Sequence, residues 1–138
     1  MKYPSIERFQ TVTKAMPWGT EMLVASTPAY TGKLLFYRAG HGGGFQYHVE
    51  KDETFYLFSG RAVIHSARDT RYTVATMYPG DSYHIPAGAP HKFTAITDCV
   101  VFEASTSHEN DRVNVAKELT GFPDPPDTLP STWACESD

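Results

Sequence analysis

Cysteine is nearly absent from this chain. Cys99 and Cys135 are the two among 138 residues, and they stand far apart. That excludes both a disulfide framework and the paired spacing of a zinc ribbon. Cys99 opens the apolar run Cys99-Val100-Val101-Phe102 and reads as a small buried hydrophobe. Long apolar runs are missing as well; none approaches the ~20 residues of a membrane helix. The net charge is only −4, and no basic stripe accompanies the aromatic residues. Neither nucleic acid nor a membrane is therefore an expected partner. Near the start, Ile6, Glu7, Arg8 and Gln10 intermix apolar and polar character, unlike the basic-then-apolar layout of a signal peptide. The expected location is the cytoplasm. Internal repeats and low-complexity blocks are also lacking.

What is present suits one globular domain. Hydrophobic residues make up 41% and aromatic residues 13%, enough for a sizeable core at this length. Gly and Pro cut the middle of the chain into short runs rich in Val, Ile, Thr, Phe and Tyr. These lie at 21–25, 33–38, 45–50, 54–58, 61–66, 71–77, 82–85, 92–96 and 99–105. Ser59-Gly60 and Pro79-Gly80 read as turns. Many short strands at such spacing imply an all-β antiparallel sandwich or barrel. The only helical period is at 114–119, one or two turns at most. Pro123, Pro125, Pro126 and Pro130 make 121–138 an extended surface tail or a disordered segment. The expected division is a domain over 1–120 and a tail over 121–138.

Two stretches carry chemistry. The first is Gly42-Gly43-Gly44-Phe45-Gln46-Tyr47-His48-Val49-Glu50-Lys51-Asp52-Glu53, running on to Gly60; the second is Gly80-Asp81-Ser82-Tyr83-His84-Ile85-Pro86-Ala87-Gly88-Ala89-Pro90-His91. His48 and His91 are candidate metal ligands, since neutral imidazole suits zinc, iron, nickel and manganese. Glu53 completes a two-His, one-carboxylate set, suited to non-haem Fe(II) or catalytic zinc. Strand parity puts Gln46, His48 and Glu50 on one face, Glu53 with Phe55 and Leu57, and His91 with Phe93 and Ala95. If all three faces point inward, the ligands converge, with Gln46 or Glu50 as a fourth. Glu50 has two other readings: a general base near the cation, or a solvated carboxylate paired with Lys51. His41, in a glycine loop, and His108, in a polar stretch, carry less weight. His65 alternates with Val63, toward solvent, and His84 alternates with Tyr83 and Ile85.

These stretches resemble the paired signatures of the cupin superfamily, G-x5-H-x-H-x3,4-E-x6-G and G-x5-P-x-G-x2-H-x3-N. Gly42, His48, Glu53 and Gly60 match the first; Gly80, Pro86, Gly88 and His91 match the second. Glu50 replaces the second His of the first motif, the gap to Glu53 is one residue short, and Ala95 replaces the final Asn. The resemblance implies a double-stranded β-helix, or jelly-roll barrel, around one divalent metal ion: Zn, Mn, Fe or Ni. Small cupins are commonly dimers with N-terminal segments packed between barrels. A homodimer is expected here, and Tyr3, Ile6 and Phe9 are compatible with it. A second resemblance is to mannose-6-phosphate isomerase-type cupin domains. It rests on Gln46-Tyr47-His48 with Glu53, Pro17-Trp18-Gly19-Thr20-Glu21, Gly32-Lys33-Leu34-Leu35, and Phe102-Glu103-Ala104-Ser105-Thr106 followed by Asp111-Arg112-Val113. It implies Gln46, His48, Glu53 and His91 as metal ligands. Arg112 would hold a sugar hydroxyl or phosphate, although its register is shifted from the family pattern. Lys33 and Tyr37 share a strand face and are candidates to line the cavity.

The function so implied is a metal-dependent isomerase or epimerase acting on a sugar or sugar phosphate. It would abstract a proton next to a carbonyl, with Glu50 or Glu53 as base. A non-haem iron dioxygenase or lyase is the alternative from the same ligand set. A non-catalytic barrel binding a small ligand is another. Iron with oxygen uptake would mark the first alternative; ligand-induced stabilisation without turnover would mark the second.

Overall fold

A computed structural model describes residues 2–68 and 71–115. The expected 121–138 tail, and all but 114–115 of the expected 114–119 helical segment, lie outside the described residues. Eleven strands and no helix occur among those residues. They are β1 (Val12–Met16), β2 (Gly19–Ser26), β3 (Thr31–Tyr37), β4 (Gln46–His48), β5 (Glu53–Ser59), β6 (Ala62–Arg68), β7 (Arg71–Met77), β8 (Ser82–Ile85), β9 (His91–Ala95), β10 (Cys99–Ser105) and β11 (Arg112–Asn114). One sheet has the order β1-β2-β3-β10-β5-β8 and the other β11-β4-β9-β6-β7, and every pairing is antiparallel. This is the expected jelly roll. No described helix is long and apolar enough to cross a membrane.

Alternation explains the core. In β10, Cys99, Val101, Glu103 and Ser105 are buried, while Phe102 and Ala104 face out. In β5, Glu53, Phe55 and Leu57 are buried, while Tyr56 and Phe58 face out. The inward residues of both sheets form one cluster that includes Leu35, Phe55, Leu57, Ile64, Met77, Ile85, Phe93 and Val101. Each large apolar side chain contributes about 1.5–3 kcal/mol by leaving water. Tyr37 lies in this cluster, stacked on Trp18 at 4.1 Å between ring centroids.

Several local details differ from the sequence expectation. β1 carries no alternation because four of its five residues are exposed; its register against β2 alone makes it a strand. β11 is three residues long, and Asn114 belongs to it rather than to a helical turn. The run expected at 45–50 forms strand only at Gln46–His48, because the chain bends at Val49 and Glu50. His65 is fully buried rather than turned to solvent. β6 is an interior strand, and Val63, His65, Lys92 and Thr94 on its outward side and that of β9 are all shielded. The motif glycine Gly42 bridges to Thr94, where a Cβ would overlap the Phe93 carbonyl oxygen. That close approach brings the strand of His48 alongside the strand of His91.

Candidate metal centre

His48 ends β4, Glu53 begins β5 and His91 begins β9. Two of these strands belong to one sheet and β5 to the other, so the three side chains meet between the sheets. One ligand atom from each lies within 4.8 Å of the others. Glu53 Oε2 is 3.1 Å from His48 Nε2 and 3.4 Å from His91 Nε2. Gln46 is directly opposite His91 in the β4–β9 register, so the two side chains share a face.

The far nitrogens of both imidazoles are engaged. His48 Nδ1 donates to Asp111 Oδ1 at 3.0 Å, and His91 Nδ1 donates to the Ala89 carbonyl at 2.9 Å. Each acceptor can only accept, so each neutral ring carries its proton on Nδ1 and presents a lone pair at Nε2. The second motif builds its half of this arrangement. Gly88, at φ +85°, takes a conformation that L side chains rarely adopt, and its amide donates to the His48 carbonyl at 2.7 Å. Pro86-Ala87-Gly88-Ala89 thereby ties the His91 loop to the end of β4.

With both rings neutral, two imidazole lone pairs and a carboxylate oxygen face one another with no donor among them. Glu53 Oε2 and Gln46 Oε1 are buried and lack an aligned hydrogen-bond donor. Buried acceptors left in this state are costly. A divalent cation is the group that such a set of nitrogen and oxygen donors accommodates. The residues fit a metal ion, and the second contacts on both histidines are of the kind that orient metal ligands.

Titration tendencies follow from the same geometry. The Glu53 carboxylate raises the His48 pKa above its ordinary value, against the opposing effect of burial. Burial lowers that of His91. Burial by itself would raise Glu53, but His48 and the charge of Lys51 overcome it and hold Glu53 below the usual carboxylate range. Lys51 is the site residue the sequence reading missed. Its side chain is 12% exposed, with Nζ 2.9 Å from Glu103 Oε2 and 3.4 Å from Glu53 Oε1. Burial opposes its charge, yet the two carboxylates keep its pKa above the ordinary lysine value. Burial raises the pKa of Glu103. Nearby, Lys33 pairs with Glu21 at 3.4 Å.

Two sequence candidates sit outside the cluster. Glu50 lies in the bend after β4 with a 69% exposed side chain, 3.7 Å from His108 Nε2. It pairs with neither the cluster nor Lys51, because β4 has ended and parity no longer aims it inward. Arg112 is exposed, but the β11–β4 register sets it directly opposite His48, on the same face of the sheet. Cys99 is buried, and burial pushes its thiol up to about 11, so it is no nucleophile at neutral pH.

A family model described as "Cupin domain" matches residues 34–105. The chain belongs to the cupin family. Solved structures of low identity share its fold. CapF crystallised with the inhibitor 3-isopropenyl-tropolone gives a TM-score of 0.68 at 18% identity, over 78% of this cupin and 35% of that chain. KdgF from Halomonas sp. gives 0.61 at 19% identity, over 75% of this cupin and 90% of that chain. Oxalate decarboxylase from Bacillus subtilis gives 0.68 at 16% identity, over 88% and 35%. This cupin thus spans about a third of the CapF and oxalate decarboxylase chains. No curated protein matches it significantly.

Proposed function

We propose that this cupin binds one divalent metal ion through His48, Glu53, His91 and Gln46 and isomerises or epimerises a small carbonyl-bearing carbohydrate. The carrying observation is the convergence of the two Nε2 lone pairs on Glu53 Oε2, with the unpartnered Gln46 Oε1 on the same face. A cation held there supplies Lewis-acid polarisation of substrate oxygens. Glu53 stands within ion-pair distance of two histidines and Lys51, so the proton carrier of this reading is Glu50, exposed in the bend two residues beyond His48. Arg112, opposite His48, is placed to hold a hydroxyl or phosphate group of the substrate. Support for the carbohydrate class comes from the Gln46, Trp18-Gly19-Thr20-Glu21 and Lys33 elements of the sequence.

Metal analysis of untagged protein tests the site first. Near-stoichiometric metal is expected, lost in His48→Ala and in His91→Ala. Undiminished metal in both variants sinks the assignment. With metal loaded, sugars and sugar phosphates incubated in heavy water are expected to acquire deuterium next to the carbonyl. Oxygen chemistry at Fe(II) is the second reading, favoured by the two-His, one-carboxylate composition; stoichiometric iron and substrate-dependent oxygen uptake would select it.

The same proposal includes a homodimer. Tyr3, Ile6, Phe9 and Val12 are exposed ahead of and at the edge strand β1, with Ile6 fully so. Phe36, Tyr56, Phe58 and Phe102 are exposed on the outer face of the β1-β2-β3-β10-β5-β8 sheet. An apolar segment and an apolar face on one chain suit a second copy. Removal of residues 1–11 is expected to convert a dimer into a monomer in light scattering after size exclusion. A monomeric wild type refutes this part.

A further inference from the structure

Asp111 precedes β11 and belongs to neither motif. The residue before it, Asn110, has φ 60°, in the left-handed region that Asn tolerates better than most side chains. This tight turn delivers Asp111 to the back of the metal centre. One of its carboxylate oxygens accepts the His48 Nδ1 proton at 3.0 Å. The other accepts the backbone amides of Glu50 at 2.7 Å and Lys51 at 2.8 Å. Its own carbonyl accepts the Val49 amide at 3.2 Å. One residue therefore binds the last ligand of β4 and all three amides of the 49–51 bend. That bend carries the chain to Glu53 and turns Lys51 inward.

We infer that Asp111 is a positioning residue of the metal centre, fixing the tautomer and ring orientation of His48 and the bend that sets Glu53. The inference rests on the metal-binding reading above. A carboxylate behind a ligating imidazole holds Nε2 toward the metal and makes it a better donor. Among the described residues, Asp111 is the hydrogen-bond partner of His48 Nδ1. An asparagine cannot replace it fully, because it has one acceptor oxygen and an NH2 group that would face either the ring N–H or the two amides.

The test is Asp111→Asn, with two readouts besides turnover. Metal affinity, measured by competition between the folded protein and a chromophoric chelator for Zn²⁺, is expected to fall about 10–100-fold. The nitrogen-15 shifts of the His48 ring, taken without metal in alkaline buffer, are expected to report the Nδ1–H tautomer in the wild type and a mixture in the variant. Equal affinity, with only the metal-free melting temperature lowered, would mean that Asp111 merely caps the bend, and would overturn the inference. If the wild type binds no metal, the metal reading fails by itself. The tautomer then decides the orienting role separately. Should the variant not fold, an Nε2–H tautomer at His48 in the wild type overturns the inference unaided.

Discussion

Replacing Lys51 by Met tests whether the interior charges form one unit. Lys51 Nζ stands 2.9 Å from Glu103 and 3.4 Å from Glu53, and all three side chains are at most 12% exposed. At an effective dielectric constant of ~20, each contact is worth about 5 kcal/mol of Coulomb attraction. Desolvation of three ions offsets most of that, so the net worth of the cluster is small. The cost of breaking it is not. Methionine preserves most of the stem but leaves two buried carboxylates on adjacent strands without a cation, and removal of one partner from a buried pair typically costs about 3–5 kcal/mol. Urea unfolding of the metal-free protein at neutral pH measures this, with the m-value as a check that the native state is unchanged. Changing Glu103 to Leu in the same chain removes one stranded carboxylate. The double variant is therefore expected to be more stable than Lys51→Met alone. A loss below about 1 kcal/mol in the single variant, or simple additivity in the double, would refute the reasoning.

Acid sensitivity should trace in part to His65. Burial first, and Lys92 second, lower its pKa from 6.5 to about 4 in the folded chain. The unfolded chain binds its proton first as pH falls, so His65 costs stability below pH 6.5 and the loss levels off below about 4. At 1.36 kcal/mol per unit, the full loss is about 3 kcal/mol. In unfolding titrations, His65→Phe should flatten the stability curve between these pH values; an unchanged slope would remove His65 as the cause. Two further expected outcomes, loss of bound metal in His48→Ala and His91→Ala and loss of the dimer on removal of residues 1–11, rest on the tests already described.

Legibility in the sequence followed how local each determinant is. β5 and β10 could be read directly, because Thr54-Phe55-Tyr56-Leu57-Phe58 and Cys99-Val100-Val101-Phe102 are runs of β-prone residues, although which side chains face inward shows only in the burial of alternate positions. β1 could not, since it is exposed on both sides and exists through pairing alone. His48, Glu53 and His91 were legible because glycines and a proline at fixed spacing must shape the loops that carry them: Gly42 for its close approach to Phe93 and Gly88 for its positive φ. The position of Glu50 outside the cluster and that of Lys51 within it have one cause. Parity holds only while the backbone stays in a ladder, and β4 leaves its ladder at His48. Beyond that point the amides of Glu50 and Lys51 are held by Asp111, some sixty residues later in the chain. No local pattern near residue 50 encodes a contact at that separation. The bend exchanges the two side chains: the glutamate counted as inward lies in solvent, and the lysine counted as its surface partner becomes the cation between Glu53 and Glu103. The charge of the centre was thus set by a residue that neither motif contains, and the same residue holds the imidazole on which the proposed chemistry depends.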